Sequence, residues 1–221
     1  MKWTIPNTLT TLRLLAAPAV PVMFLYFHRP WADWFALTLF VGAAITDWFD
    51  GYLARLWKQE SKFGTMLDPI ADKAMVVIAI MVITGYSGMN PWLILPATVI
   101  LFREVFVSGL REYLGAKAGL LSVTKLAKWK TTAQMVAIAV LFLGTGFEYL
   151  NGVAMQGMTP EQYTDAVAQG LADPVRACGK RDCASYANLV GLVLIWFAAG
   201  LTALTGWDYF AKSRPHLRDD T

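Results

Sequence analysis

Six apolar runs, each closed by polar or charged residues, follow one another along the chain: about Leu9–Phe27, Trp34–Leu56, Met66–Gly85, Trp92–Tyr113, Thr131–Phe147 (its start nearer Lys125) and Leu189–Phe210. A helix needs roughly 20 such residues to cross the hydrocarbon of a bilayer, so the pattern predicts six transmembrane helices in one polytopic, all-α membrane domain covering residues 1–221. The opening W-T-I-P-N-T-L-T is expected to form a short interfacial helix that lies along the membrane before the first span, with Trp3 as anchor and Asn7 or Thr8 as cap. Pro6, Pro18 and Pro21 interrupt the first apolar run, and no small-residue cleavage site follows it, which argues against a signal peptide.

Between Phe147 and Ala187 the apolar pattern stops. Within this loop, T-P-E-Q-Y-T-D-A-V-A-Q-G has the form of a short helix, with Thr159 as N-cap, Pro160 at the first position and Gly170 as stop. Cys178 and Cys183, the only cysteines, also lie there.

Composition agrees with a membrane domain: 56% of residues are hydrophobic, only 16% are charged, and the mean hydropathy is +0.45. Lys and Arg collect at Lys2 and Arg13, at Arg55–Lys62, at Arg111–Lys130 and at Lys212–Arg218, whereas Tyr86–Pro91 carries no charge. By the positive-inside rule, both termini and the loops after the second and fourth spans face the cytoplasm. The 147–187 loop then faces an oxidising compartment, where a Cys178–Cys183 disulfide is favoured over two free thiols. A disulfide is expected here in preference to zinc, since two thiols without a nearby His are too few ligands. The net charge of +3, clustered at membrane edges, suits anionic lipid headgroups and carries no nucleic-acid signature.

The chemistry is concentrated in four carboxylates placed inside apolar runs. Asp47 and Asp50 are three residues apart and Asp68 and Asp72 four apart, so each pair lies on one face of its helix. Two antiparallel helices joined by a short turn would aim all four into one space. Ionised Asp at this depth needs a cation or a wet cavity, and two Mg2+ or Mn2+ with oxygen ligands would satisfy four of them. The plainer alternative is a salt-bridge network in which Arg55, Lys58, Lys62 and Lys73 neutralise the acids. Gly51, Ala54 and Gly64 suit either close helix packing or the approach of a flat ligand, and Arg55 suits either snorkelling or a phosphate.

In full, the second and third runs contain D-W-F-D-G-Y-L-A-R, eight residues, then G-T-M-L-D-P-I-A-D. This string resembles, without departure, the signature D-x2-D-G-x2-A-R-x8-G-x3-D-x3-D of the CDP-alcohol phosphotransferases. The resemblance implies a homodimer of six-helix subunits around a polar cavity open to the cytoplasm. It assigns metal to Asp47, Asp50 and Asp68, makes Asp72 a further ligand and the general base, and assigns the CDP moiety to Gly51, Ala54, Arg55 and Gly64.

The acceptor is the open question, and the fourth and fifth runs address it. R-E-V-F-V-S-G-L-R spans Arg103 to Arg111 with Ser108 between, and K-W-K-T-T-A-Q supplies Lys128, Lys130, Thr131 and Gln134. An Arg inside a span needs an anion, which a second phosphate or an ion pair with Glu104 or Glu112 would supply. These segments, and P-N-x-L-T-x-x-R from Pro6 to Arg13, are similar to those of bacterial family members that transfer a phosphatidyl group to glycerol 3-phosphate; Ala127 stands where their pattern has glycine. The implied substrates are CDP-diacylglycerol and glycerol 3-phosphate at a bacterial inner membrane. Inositol phosphate or a phospholipid is the alternative acceptor. A divalent-cation transporter is the rival from another class, but its remaining spans would need acids that are nearly absent here.

Overall fold

The computed structural model describes residues 5–29, 31–57, 62–115, 125–155, 159, 161, 162, 165 and 180–216. Side chains are described over 7–29, 31–47, 63–115, 129–150 and 185–215 and at 159, 161, 162 and 165. Six long helices follow in order: α1 (Ile5–Tyr26), α2 (Trp31–Trp57), α3 (Lys62–Tyr86), α4 (Pro91–Leu114), α5 (Lys125–Met155) and α6 (Lys180–Ser213), which closes in a 3-10 turn at Arg214–His216.

Four of these are long and apolar enough to cross a membrane, over Asn7–Tyr26, Pro91–Leu114, Trp129–Leu150 and Ser185–Ser213. Their outer faces carry large apolar side chains: Leu25 is 75% exposed, Phe102 70% and Trp207 71%. So much outward apolar surface belongs against lipid, and the chain is an integral membrane protein. The carboxylate-bearing α2 and α3 are outside this set.

The local signals act as expected at several ends. Asn90 caps α4, its side chain accepting from the Trp92 N–H at 3.0 Å, and Pro91 takes the first helical position. Gly88 and Met89 turn the chain with φ of 62° and 61°. Gly115, at φ 51°, ends α4 by donating its N–H to the carbonyls of Arg111 and Glu112. Thr159 and Gln162 form a reciprocal capping box: Thr159 Oγ1 accepts from the Gln162 N–H at 3.3 Å, and Gln162 Oε1 accepts from the Thr159 N–H at 3.0 Å. The stop at Gly170 lies outside the described residues. So does the Cys178–Cys183 bridge, although Cys183 falls in the first turn of α6.

Three expectations are corrected. α1 runs unbroken from Ile5, so Asn7 and Thr8 lie inside it rather than at a cap, and no separate interfacial helix precedes it among the described residues. The 147–187 loop is shorter than expected, because α5 continues to Met155 and α6 begins at Lys180. Finally, among the described residues α2 and α3 are brought together through α1, against which both pack, rather than by close packing on each other. α5 packs along α6, which also carries α4, and α2 and α3 touch α5.

This arrangement follows from one face of α1. Asn7, Thr10, Arg13, Ala17, Val20 and Phe24 are buried at helical spacing, polar at the start and apolar beyond. Phe24 meets Phe142 of α5, which also meets Phe40 of α2, at centroid distances of 6.2 and 5.8 Å. The polar start faces one end of the bundle. At the other end Arg29, between α1 and α2, donates to both oxygens of the buried Asp33 (2.8 and 2.5 Å) and to the Thr145 carbonyl (3.0 Å). Its guanidinium lies 5.0 Å from the Tyr86 ring centroid and 4.6 Å from that of Tyr149.

Glycine sets the α5–α6 distance. A Cβ at Gly191 would stand 2.7 Å from Leu141 Cδ2, whereas one at Gly200 would meet nothing within 4 Å. Gly191→Val is therefore expected to cost about 1–3 kcal/mol through overpacking, while Gly200→Ala is neutral or gains up to about 1 kcal/mol of helix propensity. Thermal unfolding of both variants in detergent checks the contrast, and equal effects would contradict it.

Candidate active site

Asp47 continues the buried face of α2 that runs through Ala36, Phe40 and Ala43, one turn at a time. Asp68 and Asp72 lie one turn apart on α3, where Ala71 and Met75 are buried. Between the two helices stands Arg13 of α1, with a side chain only 2% exposed. Its Nη1 donates to Asp72 Oδ1 at 2.9 Å and also to Asp47 Oδ1. The Thr10 hydroxyl, one turn earlier, donates to Asp68 Oδ1 at 2.7 Å. The polar half of the α1 face is therefore the wall on which three of the four signature acids converge. Asp50, Gly51, Ala54 and Arg55 lie in α2, but their side chains are outside the described residues; Gly64 is buried in the first turn of α3.

Among the described residues the cation beside the acids is Arg13; of the four that the salt-bridge alternative named, the side chains of Arg55, Lys58 and Lys62 lie outside the described residues. Lys73 turns the other way: its Nζ donates to Ser108 Oγ on α4. Among the described residues, no three His, Cys, Asp or Glu side chains stand close enough to hold a metal on their own. The donor set nevertheless suits one: half-exposed carboxylate oxygens of Asp47 and Asp72 already share a single cationic group, and hard oxygen donors are what Mg2+ and Mn2+ take.

A cavity of about 410 Å3 adjoins these acids, bounded by α1, α2, α3 and α5. Arg13, Asp47, Asp72, Thr131 and Thr132 supply its polar wall, and Phe40, Met75, Met135 and Ala139 are among its apolar ones. An amphiphile with a charged head and apolar tails matches such a lining.

A second, cationic cluster lies on the opposite flank of α3. Glu104 of α4 accepts from Lys130 of α5 and, at 3.2 Å, from its neighbour Arg103. Ser108 receives Lys73 and donates to the Glu104 carbonyl at 2.5 Å. Lys130 and Gln134 are buried. Arg103 is admitted by Gly206 of α6, where a Cβ would stand 2.9 Å from Arg103 Cγ. Its Nε is buried without a hydrogen-bond partner among the described residues. Of the expected acceptor residues, Arg103, Ser108 and Lys130 thus come together, joined by Lys73 and Glu104. Arg111 instead lies over the Tyr209 ring at 5.9 Å, Thr131 faces the carboxylate cavity, and the side chain of Lys128 is outside the described residues.

Arg13, which the sequence offered only within the P-N-x-L-T-x-x-R pattern, and Glu104, offered only as an ion-pair partner of Arg103, prove to be central to the two clusters. A signal existed for the first: Asn7, Thr10 and Arg13, three apart, mark a polar face on an otherwise apolar helix. Glu104 was visible only as a neighbour of Arg103, since its other partner is 26 residues away.

An all-α membrane bundle with carboxylates and cations segregated on two flanks of one helix is the class these features define. The family model for CDP-alcohol phosphatidyltransferase matches residues 3–162. A relative from Cereibacter sphaeroides, named CDP-diacylglycerol–glycerol-3-phosphate 3-phosphatidyltransferase, is 77% identical over 220 residues, covering 100% of both chains. Relatives of the same name from Rickettsia bellii and Escherichia coli are 36% and 42% identical, over 96% and 64% of this chain and 97% and 78% of their own. The chain belongs to the CDP-alcohol phosphatidyltransferase family.

Replacing Glu104 by Leu leaves the buried Lys130 charge without this partner and is expected to cost about 3–5 kcal/mol. Adding Lys130→Met should recover at least about 2 kcal/mol of that loss. Equilibrium unfolding in mixed micelles measures the cycle; simple addition of the two single costs would show that the pair is not coupled.

Proposed function

We propose that this chain transfers the phosphatidyl group of CDP-diacylglycerol to glycerol 3-phosphate, giving phosphatidylglycerol phosphate and CMP. The observation that carries the reading is the split at two consecutive residues of α3: Asp72 turns to the carboxylate cavity and Lys73 to the cationic cluster. A phosphate-bearing acceptor can then be held on one flank while its hydroxyl reaches the other. The names of the relatives support the same donor and acceptor.

In this reading Asp47, Asp50, Asp68 and Asp72 hold two divalent cations, Mg2+ or Mn2+, which when bound stabilise charge on the diphosphate and on departing CMP. Asp72 takes the proton of the acceptor hydroxyl as its oxygen attacks the phosphatidyl phosphorus, and the bond to CMP breaks. Gly51, Ala54, Gly64 and Arg55 receive the CDP moiety. Arg103 and Lys130 hold the acceptor phosphate with Ser108, assisted by Arg111 and Lys128, by the buried Gln134, and by Thr131 from the side of the carboxylate cavity. The acyl tails take the apolar part of the cavity. All six helices span the bacterial inner membrane, both termini and the site face the cytoplasm, and two subunits form a homodimer.

Purified protein with CDP-diacylglycerol, Mg2+ and radiolabelled glycerol 3-phosphate should yield labelled lipid and CMP. Free glycerol should be a very poor acceptor, because it lacks the phosphate that the cationic cluster would bind. Equal use of glycerol, serine or free inositol would place the chain on another branch of the family.

The acids should separate by role. Asp68→Asn is expected to abolish turnover and weaken Mn2+ binding, and Asp72→Asn to abolish turnover while CDP-diacylglycerol still binds. Near-normal activity of either variant would sink the assignment.

A further inference from the structure

We propose that Arg13 is the counter-ion that Asp47 and Asp72 hold before metal arrives, and that divalent cations displace it. The inference rests on the reading of those two acids as metal ligands. One nitrogen, Nη1, serves both carboxylates, so the guanidinium supplies them with the positive charge that a metal held by these acids would supply. The Arg13 side chain is 2% exposed, whereas the side chains of Asp47 and Asp72 are 45% and 50% exposed. An ion entering from the cavity therefore meets carboxylate oxygens before it meets the guanidinium.

Each oxygen has lone pairs enough for a metal and a hydrogen bond together, so the competition is electrostatic: a dication and a guanidinium on the same two oxygens repel. A lysine could answer by losing its proton. Arginine stays protonated in proteins, so it can yield only by moving. The cavity that Arg13 already lines gives it room to move. Metal loading and the release of a cation toward the substrate space are then one event. Arg13 is on this account a positioning residue, and its removal has opposite effects on the metal-free and metal-loaded protein.

The full chain, purified in detergent and stripped of metal, is titrated with Mn2+ in the absence of both substrates, reading free Mn2+ by electron paramagnetic resonance. Arg13→Gln is expected to bind Mn2+ at least about tenfold more tightly than the unaltered chain, in line with loss of charged hydrogen bonds to the ligands. Without metal it should melt at least about 3 °C lower, and saturating Mn2+ should raise its midpoint by more than it raises that of the unaltered chain. Weaker Mn2+ binding by the variant overturns the proposal and makes Arg13 an aid to coordination. No Mn2+ binding by the unaltered chain overturns the metal reading itself.

Should the variant fail to fold, the unaltered chain carries the test alone. Phenylglyoxal labelling of Arg13, mapped by mass spectrometry, is expected to rise when Mn2+ is added. Unchanged or reduced labelling, with Mn2+ bound, overturns the proposal.

Discussion

Charge compensation in a medium that cannot solvate ions is the constraint on which this bundle depends. Apolar packing gives neighbouring helices little reason to prefer each other over lipid, so close contacts and polar bonds must fix their arrangement. Arg13 does this for α1, α2 and α3, and Glu104 with Ser108 does it for α3, α4 and α5. The groups suited to chemistry are thus also the groups that hold the helices in register. A protein so built cannot lose its site and keep its fold unchanged.

α3 is where the two sets of charges meet. Consecutive residues on a helix point about 100° apart, which is enough to send Asp72 toward α1 and Lys73 toward α4. A single helix therefore acts as a partition between an anionic and a cationic compartment. Its Asp68, one turn before Asp72, is tied to Thr10, so the partition is fixed to α1 along its length rather than at one point.

Much of this was legible in the chain itself. Apolar runs located the six long helices, Thr159 announced its cap, and the spacing of Asp68 and Asp72 put that pair on the face of α3 that meets α1. What failed has physical reasons. α5 and α6 outrun their apolar stretches because a helix that leaves the membrane can continue with polar residues, so hydropathy marks the span and not the helix. Arg13 looked like an ordinary basic residue at the start of a span, although Asn7 and Thr10 before it already marked a buried polar face. That α1 would lie against both α2 and α3 has no local signal, since it depends on which helix offers the matching charge.

The contact made by Arg29 at the far end of the bundle has a mechanical meaning. With Asp33, Thr145, Tyr86 and Tyr149 gathered around one guanidinium, α2, α3 and α5 are joined there as at a fulcrum. Asp47 stands on α2 at the end of a lever arm of about 21 Å, from a rise of 1.5 Å for each residue beyond Asp33. A tilt of about 5° about that point moves the Asp47 backbone by about 2 Å, as much as a metal–oxygen bond is long, while the fulcrum barely shifts. The Arg29 contact thus sets the geometry by which any tilt of α2 would be magnified at the end where the carboxylates lie.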